Sequence, residues 1–147
     1  MQEFNESVMV VLIPTTSYWC KKPSPHMTLV YAGKIPNLKT GDFNKLAKDG
    51  SMLALISRPI TLEVSEVSIF GDNEEAVDVF SLTPNTELLA MRHFLEHWNA
   101  SIHDFNPHTT IGPMGSFSGM IPKRLSFDKL LVSWGNENLT FRLHNGY

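Results

Sequence analysis

Hydrophobic and polar residues alternate along Ile60-Thr61-Leu62-Glu63-Val64-Ser65-Glu66-Val67-Ser68-Ile69-Phe70, the period of a long half-buried strand. Ala76 to Leu82 alternates again beyond the turn residues Gly71-Asp72-Asn73, so the two predict a hairpin. Val8 to Ile13 is instead a continuous apolar run closed by Pro14, which predicts a buried central strand. His26 to Ala32 predicts another strand, ended by Gly33. Two stretches carry the helical period. The first starts at Thr40-Gly41-Asp42, sets Phe43, Leu46, Ala47 and Leu53 on one face, and is limited by Pro59. The second follows Thr83-Pro84-Asn85-Thr86 and runs to about Trp98, with Leu88, Leu89, Met91, Phe94, Leu95 and Trp98 as its apolar stripe. Asn106-Pro107 opens a further strand. Gly112 to Ser118 is rich in glycine and serine and reads as a mobile loop. Phe127–Trp134 and Leu139–Leu143 flank Gly135-Asn136-Glu137-Asn138 as a closing hairpin. The count is about seven strands and two helices, in the order β-β-α-β-β-α-β-β-β. Each half supplies strands and one helix. The layout predicts an α+β fold of two lobes around a cleft, and no linker-like segment divides 1–147 into more than a single domain.

Composition narrows the partners. The 147 residues suffice for one domain with a core, and 42% apolar with 18% charged residues is ordinary for a folded globule. A formal charge of −3 argues against a broad basic surface for long nucleic acid, but is compatible with a small nucleotide or a short RNA end. Cys20 is the one cysteine, so no internal disulfide forms, which fits a reducing, cytoplasmic compartment. Met1–Glu6 lacks the build of a signal peptide, and no apolar run reaches the length of a membrane span. The sequons at Asn5, Asn99 and Asn138 are therefore read as chance.

Two stretches carry candidate chemistry. Pro25-His26-Met27-Thr28-Leu29 and Pro107-His108-Thr109-Thr110-Ile111 both read Pro-His-x-Thr-aliphatic. On an extended strand, His26 and Thr28 share one face, with Met27 and Leu29 on the other. His108 and Thr110 share a face likewise, backed by Thr109 and Ile111. Side by side, two such strands would offer two imidazoles and two hydroxyls to one phosphate: a base, an acid and two donors to its oxygens. Histidine titrates near neutrality, so one ring can be neutral while the other is charged.

The paired His-x-Thr-aliphatic strands resemble the 2H phosphoesterase superfamily, which includes bacterial RNA 2′,3′-cyclic phosphodiesterases once called 2′-5′ RNA ligases and phosphodiesterases of viruses and phages. His26-Met27-Thr28-Leu29-Val30-Tyr31-Ala32-Gly33 matches the first motif, and Phe105-Asn106-Pro107-His108-Thr109-Thr110-Ile111-Gly112 the second. The resemblance implies a bilobal, pseudo-twofold fold with mostly antiparallel sheets around a central cleft and the two helices outside. It implies cleavage of a phosphodiester with no metal and no cofactor. One histidine would deprotonate the attacking water or 2′-hydroxyl, the other would protonate the leaving oxygen, and Thr28 and Thr110 would hold non-bridging oxygens. Which histidine takes which part stays open, since reversing the reaction exchanges them. Cellular members often carry an arginine just past the second motif, where this chain has Gly112-Pro113. That departure, the minimal length and the lack of basic excess favour a 2′-5′ or cyclic oligonucleotide of an antiviral signalling pathway; the resemblance, not the composition, implies that a viral or phage protein would act against it in the host cytoplasm. The alternatives are a 2′,3′-cyclic phosphate on RNA, a cyclic phosphate on a small metabolite, and a non-catalytic nucleotide-binding module of the same fold.

Several other residues admit two readings. Tyr18 and Trp19, in the loop from Thr15 to Pro25, either fold onto the domain edge or form a flap that stacks on a base. Tyr31, Phe70, Phe117 and Trp134 are base-stacking candidates that more commonly are core, and Tyr31 by parity sits behind the motif face. Glu66, Asp78 and Glu137 are candidates for orienting a histidine. His93-Phe94-Leu95-Glu96-His97 spells the inverted zinc-protease motif, but Phe94 and Leu95 belong to the buried stripe and too little chain follows for such an enzyme. His103 and His144 read as surface histidines.

Overall fold

The computed structural model describes residues 5–21 and 25–144. Residues 1–4, which open the polar N-terminal stretch, and 22–24, inside the loop from Thr15 to Pro25, lie outside the described residues, as do 145–147. The elements follow the expected order: β1 (Ser7–Pro14), β2 (Met27–Lys34), α1 (Asp42–Ile56), β3 (Ile60–Phe70), β4 (Val77–Thr83), α2 (Thr86–Leu95), β5 (His108–Pro113), β6 (Arg124–Trp134) and β7 (Glu137–Arg142). All strand pairs are antiparallel. Neighbours run β1-β2-β5-β4-β3-β6-β7, and β1 also pairs with β6, so six strands close into a ring with β7 added beside β6. The apolar run of β1 is explained by its place, with β2 on one edge and β6 on the other. β6 joins the two halves of the ring: Phe127 is the register partner of Pro14 in β1 and of Ile60 in β3. The closing hairpin turns in two residues, since Trp134 pairs with Glu137, and Gly135 takes the positive φ of 63° that such a tight turn requires.

Both helices bury one stripe. On α1, Leu46, Gly50, Leu53 and Ala54 recur at helical spacing and are buried. Gly50 is there for space: a Cβ at that position would meet Val132 Cγ2 at 2.6 Å. On α2, Asn85 caps the first turn by accepting from the Leu88 amide at 2.9 Å. Leu88, Met91 and Leu95 form its buried stripe. Leu89, expected in that stripe, is 48% exposed, because position 89 falls a quarter-turn round from Leu88 on the outer face. The helix also ends at Leu95, and Glu96–Trp98 is a separate tighter turn. No helix among the described residues is long and apolar enough to cross a membrane.

Two loop expectations are corrected. Trp19 is 5% exposed, with its ring edge-on to Phe80 at 5.3 Å, and Phe117 packs on the same Phe80 ring at 5.4 Å. Trp19 thus takes the packed alternative and leaves water, Phe117 is half-buried against the same ring, and Tyr18 stays exposed. The stretch from Gly112 to Ser118, expected to be mobile, is pinned. The buried Asp78 carboxylate accepts from the amides of Gly115 at 3.0 Å and Phe117 at 3.1 Å. Asp78 therefore holds a loop. Charge-assisted bonds of this kind contribute about 1.5–3 kcal/mol each. Asp78→Ala is expected to lower the denaturant midpoint and to speed hydrogen exchange at the Gly115 and Phe117 amides. Unchanged exchange at both would show that the carboxylate does not secure the loop.

Candidate active site

The two His-x-Thr stretches meet where the ring closes. β2 and β5 share one register pair, Met27 with Thr109, and both side chains are fully buried. In an antiparallel pair, directly opposed residues point to the same face. Continuing that pairing one residue either way sets Thr28 opposite His108 and His26 opposite Thr110, all on the face away from the core. Exposure follows this alternation: Thr28, His108 and Thr110 are half-buried and His26 is exposed, while Leu29, Thr109 and Ile111 are buried. The two histidines are then diagonal neighbours, a relation that sets residues about 7–8 Å apart.

Past the single shared pair, loops cover what would be open strand edges. On β5, the Lys21 amide donates to the Ile111 carbonyl at 2.6 Å and Cys20 Sγ lies 3.5 Å from the Thr110 carbonyl. On β2, the Ala100 amide donates to the Tyr31 carbonyl at 2.7 Å. These bonds fix both strands from outside and leave the seam between them to the four motif side chains.

His108 is held in a defined orientation. Its Nδ1 lies 2.8 Å from the Asn106 carbonyl, which only accepts, so Nδ1 carries the hydrogen and Nε2 is the atom left for proton transfer. Phe70, at the end of β3, packs on the imidazole with ring centroids 4.4 Å apart. For His108, the main chain of Asn106 thus does the orienting for which Glu66, Asp78 and Glu137 were candidates.

A cleft of about 380 Å³ opens on this face, walled by Thr28, Tyr31, Phe70, Arg92, Phe105 and His108, with Asn99 to Asn106 contributing further groups. His26 and Thr110 fall outside its wall. Tyr31 was expected behind the motif face. A register shift in the β1–β2 pairing, where Val10 opposes Val30 but Val11 opposes Thr28, inserts Leu29 as an extra residue. The bulge reverses the alternation and brings Tyr31 back to the side of Thr28.

The fold is a known one. By structural comparison, TT0787 of Thermus thermophilus superimposes with a TM-score of 0.60 at 12% identity, over 94% of this chain and 95% of that one. Kluyveromyces marxianus Usb1 gives 0.64 at 8% identity, over 95% and 98%. E. coli LigT, crystallised with 3′-AMP, gives 0.56 at 13% identity, over 95% and 96%. The chain has the 2H phosphoesterase fold. No family model matches the sequence, and no curated protein sequence matches it either. The 2H fold is thus carried here by an overall arrangement of the chain that persists where residue identity has nearly gone.

Set on the 2H fold, two features of the chain stand out. The position past the second motif is Gly112-Pro113, but an arginine enters the cleft from elsewhere. Arg92 of α2 donates to the Leu29 carbonyl, with its guanidinium over the Phe105 ring at 4.6 Å. Its signal was present in the sequence: 88, 92 and 95 share one helical face, so Arg92 interrupts an otherwise apolar stripe. The zinc-protease spelling, by contrast, is taken apart by the end of α2. His93 pairs with Glu96 at 3.2 Å, whereas His97 turns to Asp49 of α1 at 3.3 Å. Among the described residues no three metal-ligating side chains converge there or elsewhere.

Proposed function

We propose that the protein is a metal-independent phosphodiesterase that cleaves a small nucleotide phosphodiester by two-histidine acid–base catalysis. The observation that carries the reading is the pairing of Met27 with Thr109, which brings both His-x-Thr stretches to one face at one seam. With phosphorus between the rings, one imidazole removes the proton of the attacking water or 2′-hydroxyl. The other gives a proton to the departing oxygen. Thr28 and Thr110 donate to the non-bridging oxygens as their charge grows. Nε2 of His108 is placed for either part.

The substrate proposed is a 2′-5′-linked or cyclic oligonucleotide, of the kind used as a signal in antiviral defence, with this chain destroying the signal. A net charge of −3 supports a small ligand over a long one, and the cleft is of a size for a nucleotide. A second reading, a 2′,3′-cyclic phosphate on RNA, is favoured by the likeness in fold to a protein crystallised with 3′-AMP.

A panel of linear 2′-5′ and 3′-5′ oligonucleotides, cyclic dinucleotides and 2′,3′-cyclic mononucleotides, incubated in parallel with and without EDTA and read by mass, tests both. Cleavage of a 2′-5′ or cyclic oligonucleotide is the expected result. Cleavage of 2′,3′-cyclic ends alone selects the second reading. No cleavage of any member leaves a nucleotide-binding module on the same fold, and activity abolished by the chelator contradicts the metal-free mechanism.

A further inference from the structure

Arg92 is a half-buried cation with no carboxylate in ion-pair contact among the described residues. Among the described residues its hydrogen bond is to the Leu29 carbonyl, and none of the ion pairs involves it. A guanidinium carries five donors in one plane, and the Phe105 ring beneath fixes that plane. The unspent donors belong to a side chain that walls the same cleft as Thr28 and His108. Leu29 directly follows Thr28, so Arg92 is anchored one strand residue, about 3.3 Å, along β2 from the Thr28 position. The displacement is toward Tyr31 and away from His26.

We infer that Arg92 binds a second phosphate of the substrate, adjacent to the one between the histidines, so that the cleft selects nucleotides carrying at least two phosphates. The inference rests on the nucleotide reading of this cleft and narrows its substrate class. A planar fork with donors to spare matches phosphate oxygens in pairs. Burial pulls the Arg92 pKa below the ordinary value for arginine, and nearby Glu96 restores part of it. A desolvated charge whose acidic neighbour, Glu96, does not reach contact distance is stabilised further by an anionic ligand. Asp104 also belongs to the cleft wall, but its side chain is exposed, where water and salt weaken its repulsion.

The test is equilibrium binding of adenosine 3′,5′-bisphosphate and adenosine 3′-monophosphate to the full chain and to Arg92→Gln, with melting temperatures recorded for both proteins. The wild type is expected to prefer the bisphosphate by roughly tenfold or more, the scale of one charge-assisted contact. Arg92→Gln is expected to erase that preference while leaving monophosphate affinity unchanged. Equal affinities in the wild type overturn the inference, and that comparison decides even where the variant fails to fold. A variant that weakens both ligands by the same factor puts Arg92 on the shared phosphate and also overturns it. A wild type that shows the preference yet cleaves nothing in the oligonucleotide panel sinks the enzymatic reading alone.

Discussion

His108→Ala is expected to lower turnover by about 10²–10⁴, the range assigned to a positioned acid or base, while leaving ligand affinity nearly intact. His108 is half-buried, and its ring contact is with Phe70 at the mouth of the hairpin, away from the main core. Removing it therefore opens no interior cavity, and the melting temperature stays close to that of the wild type. Thr28, Thr110 and Arg92 remain to hold the ligand. The measurement pairs steady-state rates with equilibrium binding on whichever substrate the oligonucleotide panel identifies. Preserved turnover would remove His108 from the mechanism. Loss of binding and turnover together would make it a contact residue.

Phe80→Ala carries the largest expected effect on stability. Phe80 is fully buried, takes Trp19 on one side and Phe117 on the other, and pairs through its backbone with Thr109 beside the seam. Deleting a buried aromatic ring costs about 3–5 kcal/mol. For a chain of this length that corresponds to a fall of roughly 10 °C in melting temperature. Because Trp19 and Phe117 lie on separate loops, the same substitution frees both, and Trp19 fluorescence is expected to shift to the red as its ring meets water. A fall of less than about 1 kcal/mol, too small for a cavity of that size, would show that the two flanking rings collapse into the gap.

Much of the architecture was legible because it rests on short-range periodicity. Alternation from Ile60 to Phe70 and from Ala76 to Leu82 fixes a hairpin whatever the rest of the chain does, and the observed register joins Phe70 to Val77. Parity likewise matches the burial of Met27, Thr109 and Ile111 behind the motif residues. Parity failed at Tyr31 because it counts residues, and a bulge at Leu29 adds one that no local signal announces. Trp19 was left with two readings for a different reason. Whether a loop aromatic is buried depends on Phe80, some 60 positions away, and no window along the chain contains both. Arg92 went unremarked because a charged residue on a helix is ordinarily solvated, and only its alignment with Leu88 and Leu95 marks it as inward.

The closed ring of strands is uneven in strength. Each of its other junctions has at least four register pairs, while β2 and β5 are joined by one. The joint that carries both histidines is therefore held less by its own ladder than by the loop bonds that grip each strand from outside, Lys21 to Ile111 on β5 and Ala100 to Tyr31 on β2. Those two loops, more than the strands themselves, set how the imidazoles stand relative to one another.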